Sequence, residues 1–292
     1  VAMNNQIRIS VIVPHYNDNE RCVKLVDEML RQHENWPYFE LIVVDNGSDV
    51  PLSLPEHPAL QLLLCSTPGS YAARNLGVQH AKGEILAFTD SDCMPDKSWL
   101  PTIKNFFAKE QNTNKLLAGR VQMFPAQKGR ENLYEAYDCL LGLDQENFVK
   151  RGYAITANLV FLRKVYDTVG GFDSARLSGG DAAFVRAAVR LGSELVYVKE
   201  AVVHHPARNS FKAYDKKNRR TIGGQIRCGS LKSRMLFTIR NLFPPVVEVV
   251  KVLRKESEFK LKAKVFGFLV LLWYMRAKNT LHAWLFPSYM AR

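Results

Sequence analysis

Two aspartates close an apolar run: Ile85-Leu86-Ala87-Phe88-Thr89 leads into Asp90-Ser91-Asp92, and Cys93-Met94-Pro95 follows. In an extended chain residues i and i+2 point to the same side, so Asp90 and Asp92 can converge on one cation. Two carboxylates at the carboxyl end of a strand, where open α/β sheets place their ligands, suit a hard divalent ion and a phosphorylated partner. The competing reading is an acidic turn after a buried strand, since Asp, Ser and Pro are ordinary turn residues. Pro95 is expected to stop further ladder pairing. Other acids stand at comparable places: Asp45 after an apolar stretch, and Asp181 before a helical one. Arg74 falls early in a helical stretch behind Pro68-Gly69-Ser70, where a cation and free N–H groups favour phosphate or a partner carboxylate. No GxGxxG follows the first strand and no GxxxxGK[ST] occurs, so dinucleotide and P-loop readings lose their main support.

These side chains need a scaffold, and the hydrophobic pattern supplies one. Residues 7–13 are apolar and β-branched and read as a buried first strand ended by Pro14. Strands are also expected over 40–44, 60–65, 84–89 and 116–123, with helices over 20–32, 70–81 and 96–110, the last N-capped by Asp96. Such alternation predicts an α/β fold with a mostly parallel, doubly wound sheet. The carboxyl ends of its strands lie along one edge, which makes Asp45 and the Asp90/Asp92 pair neighbours. Beyond residue 123 the pattern predicts a helix over 131–150, a strand over 154–161, a turn at Gly170-Gly171-Phe172-Asp173 and a helix over 182–191. A short strand over 195–198 leads to Ala201-Val202-Val203-His204-His205-Pro206, and from Asn209 the chain reads as helical in pieces, broken at Pro244-Pro245.

Ser10-Val11-Ile12-Val13-Pro14 with Tyr16-Asn17, then Val43-Val44-Asp45-Asn46-Gly47-Ser48, resembles the start of an inverting family-2 glycosyltransferase of the GT-A fold. Ala73-Arg74-Asn75-Leu76-Gly77, Ala81-Lys82-Gly83-Glu84, the Asp90-Ser91-Asp92 triplet, Ala157-Asn158, Val169-Gly170-Gly171-Phe172-Asp173 and Asp181 with Arg186 continue the likeness in order, over about residues 7–206. The resemblance implies a GT-A catalytic domain over 1–206, with about 1–125 binding nucleotide-sugar and 126–206 facing the acceptor. It implies that Pro14, Tyr16 and Asn17 shape the base pocket and that Asp45 accepts from a uracil N3–H. Asp45 could instead simply close an Asx turn. In the same way Asp90 and Ser91 would face the donor, Asp92 would hold Mn2+ or Mg2+, and the ion would neutralise the departing diphosphate. Arg74 would sit beside the phosphates, or pair with Asp90 or Asp92, or do both. Asp181 is implied as the general base, against the alternative of a plain helix N-cap. The family usually writes Gly-Glu-Asp there; this chain has Gly179-Gly180-Asp181. A histidine after a late strand often ligates the metal in such enzymes, and between His204 and His205 the choice falls on His204. The Gln-x-x-Arg-Trp of polymer-making members has no match at Gln225-Ile226-Arg227-Cys228, which favours addition of a single sugar.

Composition divides the chain. Net charge is +12, but residues 204–292 hold 19 Lys and Arg against 4 Asp and Glu, leaving the body near neutral. A basic extension at 207–292 therefore faces something anionic. Lys212, Lys216, Lys217, Arg219 and Arg220 form one cluster; Lys251, Arg254, Lys255, Lys260, Lys262 and Lys264 form another beside the apolar run 265–275. Basic residues beside an aliphatic and aromatic stretch suit a helix lying on an anionic leaflet, the alternative being a packed helix covering the body. Nucleic acid is not expected, because no nucleic-acid-binding motif accompanies the charge. Five scattered cysteines without a CxxC pair fit a reducing cytosol, no secretory signal opens the chain, and 265–275 is too short to span a bilayer. The expectation is a cytoplasmic enzyme, peripheral on the inner face of a membrane. It would pass one sugar from a nucleotide-sugar, UDP-linked, to a saccharide or lipid-linked saccharide acceptor in cell-surface polysaccharide synthesis. The rival from another class is a catalytically idle glycan-binding or scaffolding relative, for which Gly180 speaks.

Overall fold

The computed structural model describes residues 9–176, 178–227, 231–254 and 257–286; Ile7 of the expected first strand, Cys228 and Lys255 lie outside the described residues. Within those, the chain forms two compact units, one of residues 9–122, 144–175 and 180–205, the other of 123–143, 176–179 and 206–286.

The first unit is organised by β1 (Ile9–His15), β2 (Phe39–Asp45), β3 (Leu60–Leu64) and β4 (Ile85–Phe88). The strands β1, β2 and β4 are buried almost throughout, as expected of parallel strands covered on both faces. All three pair in parallel, with His15 opposite Asp45 and Ile12 opposite Phe88, so their carboxyl ends reach one edge together. With β5 (Met94–Pro95), β6 (Lys115–Phe124), β7 (Leu159–Leu162) and β8 (Glu194–Pro206), the strand order is β3-β2-β1-β4-β7-β6-β8-β5. Thus the half that carries the aspartates is parallel, whereas β7 runs antiparallel to both β4 and β6.

Three expectations need correcting. Pro95 does not end pairing: Met94 and Pro95 form the edge strand β5, antiparallel to β8, with Met94 opposite His204. Proline is tolerated there because an edge strand leaves one side of the ladder unpaired. The short strand at 195–198 is part of the much longer β8. The single helix at 131–150 is two, α4 (Leu133–Leu141) and α5 (Gln145–Lys150), parted at Gly142, after which the Asp144 side chain caps α5 by accepting from Asn147 N at 3.2 Å.

Helices α1 (Asn19–Asn35), α2 (Ser70–His80), α3 (Trp99–Phe107), α6 (Arg163–Val169) and α7 (Gly180–Arg190) flank the sheet in sequence order. Helix α1 buries Cys22, Leu25, Val26 and Met29, the one-sided spacing of an amphipathic helix. Helix α2 packs so closely that a Cβ on Gly77 would lie 2.6 Å from Ile12 Cγ2. Phe88, Phe161, Phe172 and Phe184 form one aromatic cluster, with the rings of Phe172 and Phe184 4.5 Å apart. Each such pair adds about 0.5–1.5 kcal/mol beyond the area it buries.

The second unit is helical: α4, α8 (Phe211–Arg227), α9 (Leu231–Leu242), α10 (Val246–Arg254) and the long α11 (Phe259–Leu285). Its core is Tyr137, Tyr214, Val252, Val265, Phe268, Leu269, Leu272 and Met275. The apolar run 265–275 therefore packs inside this unit.

Candidate active site

The loops behind β1, β2 and β3 are braced to one another by side chains. Asp45 is buried, and its Oδ1 accepts from Ser48 N at 3.1 Å and Ser48 Oγ at 2.6 Å, closing a turn over Asn46-Gly47. Asn17, at φ 54°, a conformation asparagine tolerates better than most residues, donates from N to Ser48 Oγ at 2.9 Å. Its side chain donates to Asp49 Oδ2 and accepts from Asp49 N, at 2.9 and 2.8 Å. Pro14 lies within β1, and the half-buried Tyr16 opens the loop that Asn17 anchors. The Asn46 amide donates to Thr67 O and accepts from Gly69 N, both at 2.6 Å, which ties the β3 loop to the start of α2.

Helix α2 presents Tyr71 and Arg74 on one face, three residues apart. Arg74 is buried, and its Nη2 lies 2.6 Å from Asp90 Oδ1. Its guanidinium also stands 5.6 Å from the centre of the Tyr71 ring, and its Nε is buried without a hydrogen-bond partner. Tyr71 Oη donates to Asp181 Oδ1 at 3.2 Å. Asp181 occupies the first turn of α7 and also accepts from Ala182 N at 2.8 Å. Burial raises the Asp181 pKa; Arg74 and Tyr71 oppose that shift, and Asp90 adds to it. The residue remains partly exposed, so a carboxylate with increased basicity is still open to a ligand. Burial, and then the charge of Asp181, likewise raises the pKa of Tyr71, keeping its hydroxyl a donor.

Asn75, next to Arg74, fixes a more distant turn. It donates to Phe172 O at 2.7 Å and accepts from Phe172 N at 3.0 Å and Tyr166 Oη at 2.8 Å. The Gly170-Gly171-Phe172 turn is thereby held against α2, and Arg186 of α7 lies over the Tyr153 ring.

After β4, Asp90 O accepts from Cys93 N at 3.0 Å, a turn that exposes Asp90, Ser91 and Asp92 in part and buries Cys93. Ligand atoms of Asp90, Asp92, Cys93 and His205 lie within 4.8 Å of one another. His205 Nε2 stands 3.7 Å from Asp92 Oδ1. His204, the histidine expected at the metal, instead lies 3.9 Å from Asp96 Oδ2. Alternation along β8 explains the exchange: Ala201, Val203 and His205 are buried, whereas Val202 and His204 are half-exposed. Two carboxylates and an imidazole fit a divalent cation of the Mg2+ or Mn2+ kind. Cys93 is the misfit: burial and the neighbouring Asp92 and Asp90 push its thiol pKa well up, so it stays protonated and is a poor ligand.

Residues 10–170, more than half of the chain, match the family described as Glycosyl transferase family 2. The chain belongs to that family. Glycosyltransferase AglE of Haloferax volcanii is 30% identical over 92% of this chain and 92% of its own. A pre-mycofactocin glycosyltransferase of Mycobacterium tuberculosis is 27% identical over 70% of this chain, which spans only 44% of that relative. The mannosyltransferase PcManGT from Pyrobaculum calidifontis, solved with GDP-Man and Mn2+, superposes with a TM-score of 0.61 at 17% identity, covering 96% of this chain and 88% of that one. TarS of S. aureus, residues 1–349 with UDP-GlcNAc, gives a TM-score of 0.52 at 14% identity, covering 95% and 75%. These likenesses show a GT-A-like fold, and family membership makes this chain a glycosyltransferase.

The surroundings of Gly180, where the resemblance had implied a glutamate, are tight. A Cβ placed on Gly180 would lie 2.6 Å from Tyr71 Cε2, so the tyrosine ring fills the space a glutamate side chain would need. The same ring carries the hydroxyl that bonds Asp181. Tyr71, His205 and Asn46 are the residues the sequence reasoning missed. The period-2 pattern Ala201–Val203–His205 could have found the histidine, but Val202 between them is equally apolar and hid it.

Proposed function

We propose that this chain is an inverting, metal-dependent transferase that moves one sugar from a nucleoside diphosphate-sugar, with UDP as the nucleotide, to a hydroxyl of a saccharide or lipid-linked saccharide acceptor. The observation that carries the reading is the chain of contacts from the Asp90–Asp92–His205 group through Arg74 and Tyr71 to Asp181. One end of it suits a diphosphate and the other a base. The neighbours solved with GDP-Man and Mn2+ and with UDP-GlcNAc support a nucleotide-sugar donor.

In this reading the braced loops carrying Pro14, Tyr16, Asn17 and Asp45 hold the nucleotide. Asp45 already spends one oxygen on Ser48, and its second oxygen is the one offered to a uracil N3–H. Asp92 and His205 hold the cation, with His205 taking the part first given to His204. Asp90, paired with Arg74, faces the ribose, and Ser91 lies between the two aspartates. A bound divalent ion supplies Lewis-acid stabilisation of the departing diphosphate. Asp181 accepts the acceptor hydroxyl proton while the new C1–O bond forms and the C1–O bond to phosphate breaks on the opposite face. Residues 126–206 contribute the acceptor side. The basic helical segment 207–286 rests on an anionic membrane surface, which is where a lipid-linked acceptor of surface-polysaccharide assembly would be met.

Calorimetric titration with UDP in the presence of Mn2+ tests the site. Wild type binds, Asp92→Ala loses the Mn2+-dependent part, and His205→Ala weakens Mn2+ by about 10–100-fold while His204→Ala changes it little. UDP binding that is absent in wild type, or that is indifferent to Asp92→Ala, overturns the assignment.

A further inference from the structure

The helical unit turns apolar side chains outward on several helices, Val270 and Leu281 of α11 among them, and they are densest on α9 and α10. On α9 Met235, Leu236 and Ile239 are exposed, as is Phe243 just beyond it; on α10 Val247 and Val250 are exposed. Within each helix these positions recur at three- to four-residue spacing, so each presents an apolar stripe to solvent. The opposite sides are occupied. Asn241 and Val252 are buried, Trp273 Nε1 donates to Leu242 O at 2.9 Å, and Trp284 Nε1 donates to Thr238 Oγ1 at 2.8 Å. Arg234 lies over the Trp284 ring. The outward stripe therefore belongs to a helix pair already docked on α11 and is not a core awaiting closure.

Charge indicates what covers it. Residues 231–254 carry Lys232, Arg234, Arg240, Lys251 and Arg254 against Glu248 alone. That glutamate is already engaged by Arg276, Nη1 to Oε1 3.3 Å. A second copy of the chain would bring the same cations against these ones, which opposes a symmetric dimer. A polyanion such as nucleic acid would satisfy the cations but not Leu236, Ile239 and Phe243. An anionic bilayer surface satisfies both, its headgroups meeting the basic residues and its acyl boundary the stripe. Helices of 12 and 9 residues lie in an interface rather than across it, and among the described residues none is long and apolar enough to cross a membrane.

We propose that α9, α10 and the Phe243 turn between them form a membrane-docking face that inserts shallowly into an anionic leaflet, whereas the 265–275 run gives Val265, Phe268, Leu269, Leu272 and Met275 to the core. This rests on the membrane-surface reading above and narrows it to one face of the second unit.

Flotation of the full chain with phosphatidylcholine vesicles, with and without about one-third phosphatidylglycerol, tests it. Wild type is expected to float with the anionic vesicles. Leu236→Glu/Phe243→Glu/Val247→Glu should float about tenfold less or worse, and Lys232→Gln/Arg240→Gln/Arg254→Gln should lose the preference for anionic lipid. Unchanged UDP binding by each variant shows that the donor site and fold survive, so failed docking and a failed donor reading give different results. A fluorophore on Phe243→Cys, the mildest change, should shift to the blue with anionic vesicles only. Wild type remaining in the soluble fraction, Glu variants floating like wild type, or a dimer that the Glu variants dissociate would each overturn the proposal.

Discussion

The carboxyl edge of β1, β2 and β4 and the α9–α10 pair use charge and apolar surface in opposite ways. At the sheet edge the cation Arg74 is buried and paired with Asp90, the strands β1, β2 and β4 are apolar and buried almost throughout, and the loops are tied by Asn17, Asp45 and Asn46. On α9 and α10 Lys232, Arg240 and Arg254 face solvent together with apolar side chains such as Leu236 and Val247. Burial at the first place raises the pKa of Asp181 and Tyr71; at the second, apolar side chains stand in solvent.

The largest effect should come from the carboxylate at the end of the buried chain of contacts. Asp181→Asn keeps the shape and the Tyr71 contact but removes the base, and turnover should fall by about 10^2–10^4. UDP affinity, measured by titration, should remain within a few-fold. If both fall together, Asp181 is positioning the donor and the division of labour proposed for it fails.

The contrast inside the helical unit is sharpened by two phenylalanines. Phe268 is fully buried between Tyr134, Tyr137 and Tyr214, with ring centres 4.7–5.2 Å away, whereas Phe243 is 67% exposed. Phe268→Ala should cost about 3–5 kcal/mol in denaturant unfolding. Phe243→Ser should change stability by less than about 0.5 kcal/mol. Similar losses at both would mean that the α9–α10 stripe is covered by protein.

Gly180→Ala comes next. The added Cβ meets the Tyr71 ring, and overpacking of this kind costs about 1–3 kcal/mol, read as a fall in Tm. Tyr71→Ala should make the alanine at 180 tolerable again, in a double-mutant cycle whose coupling term is the test. Additive losses would mean that the ring and residue 180 do not compete for space.

How much of this was legible beforehand follows the same contrast. The parallel strands, the edge that gathers Asp45, Asp90 and Asp92, and the Arg74–Asp90 pair follow from periodicity, topology and opposite charge, all local or nearly so. The choice of His205 over His204 depended on which face of β8 turns inward, and three consecutive apolar residues left that phase undetermined. Tyr71 was invisible for another reason. Its significance lies in contact with Gly180 and Asp181, more than a hundred positions away, and no spacing rule reaches so far. The 265–275 run was left open between two readings because an apolar helix surrounded by lysines reads alike whether it packs on protein or on lipid. Only the burial of each position, as at Phe268 against the exposed Val270, separates the two.

The smallest effect, and the subtlest, lies in pH. Burial raises the Asp181 pKa above the ordinary aspartate value of 3.8. As a base it must be ionised, so turnover should be lost as pH falls through that raised value, giving an acidic limb above the usual carboxylate range. Arg74 holds the shift in check, and Arg74→Met should therefore move the limb to higher pH. Stability runs the other way. Between the unfolded and the folded pKa the native state keeps a proton that the unfolded chain has lost, so stability declines as pH rises through that window. Asp181→Asn cannot ionise and removes this decline. The variant that loses turnover should thus equal or exceed wild type in stability at neutral pH and converge with it in acid. Parallel unfolding curves at several pH values measure the difference, and a constant gap between the two proteins would show that burial of this carboxylate is not what sets its basicity.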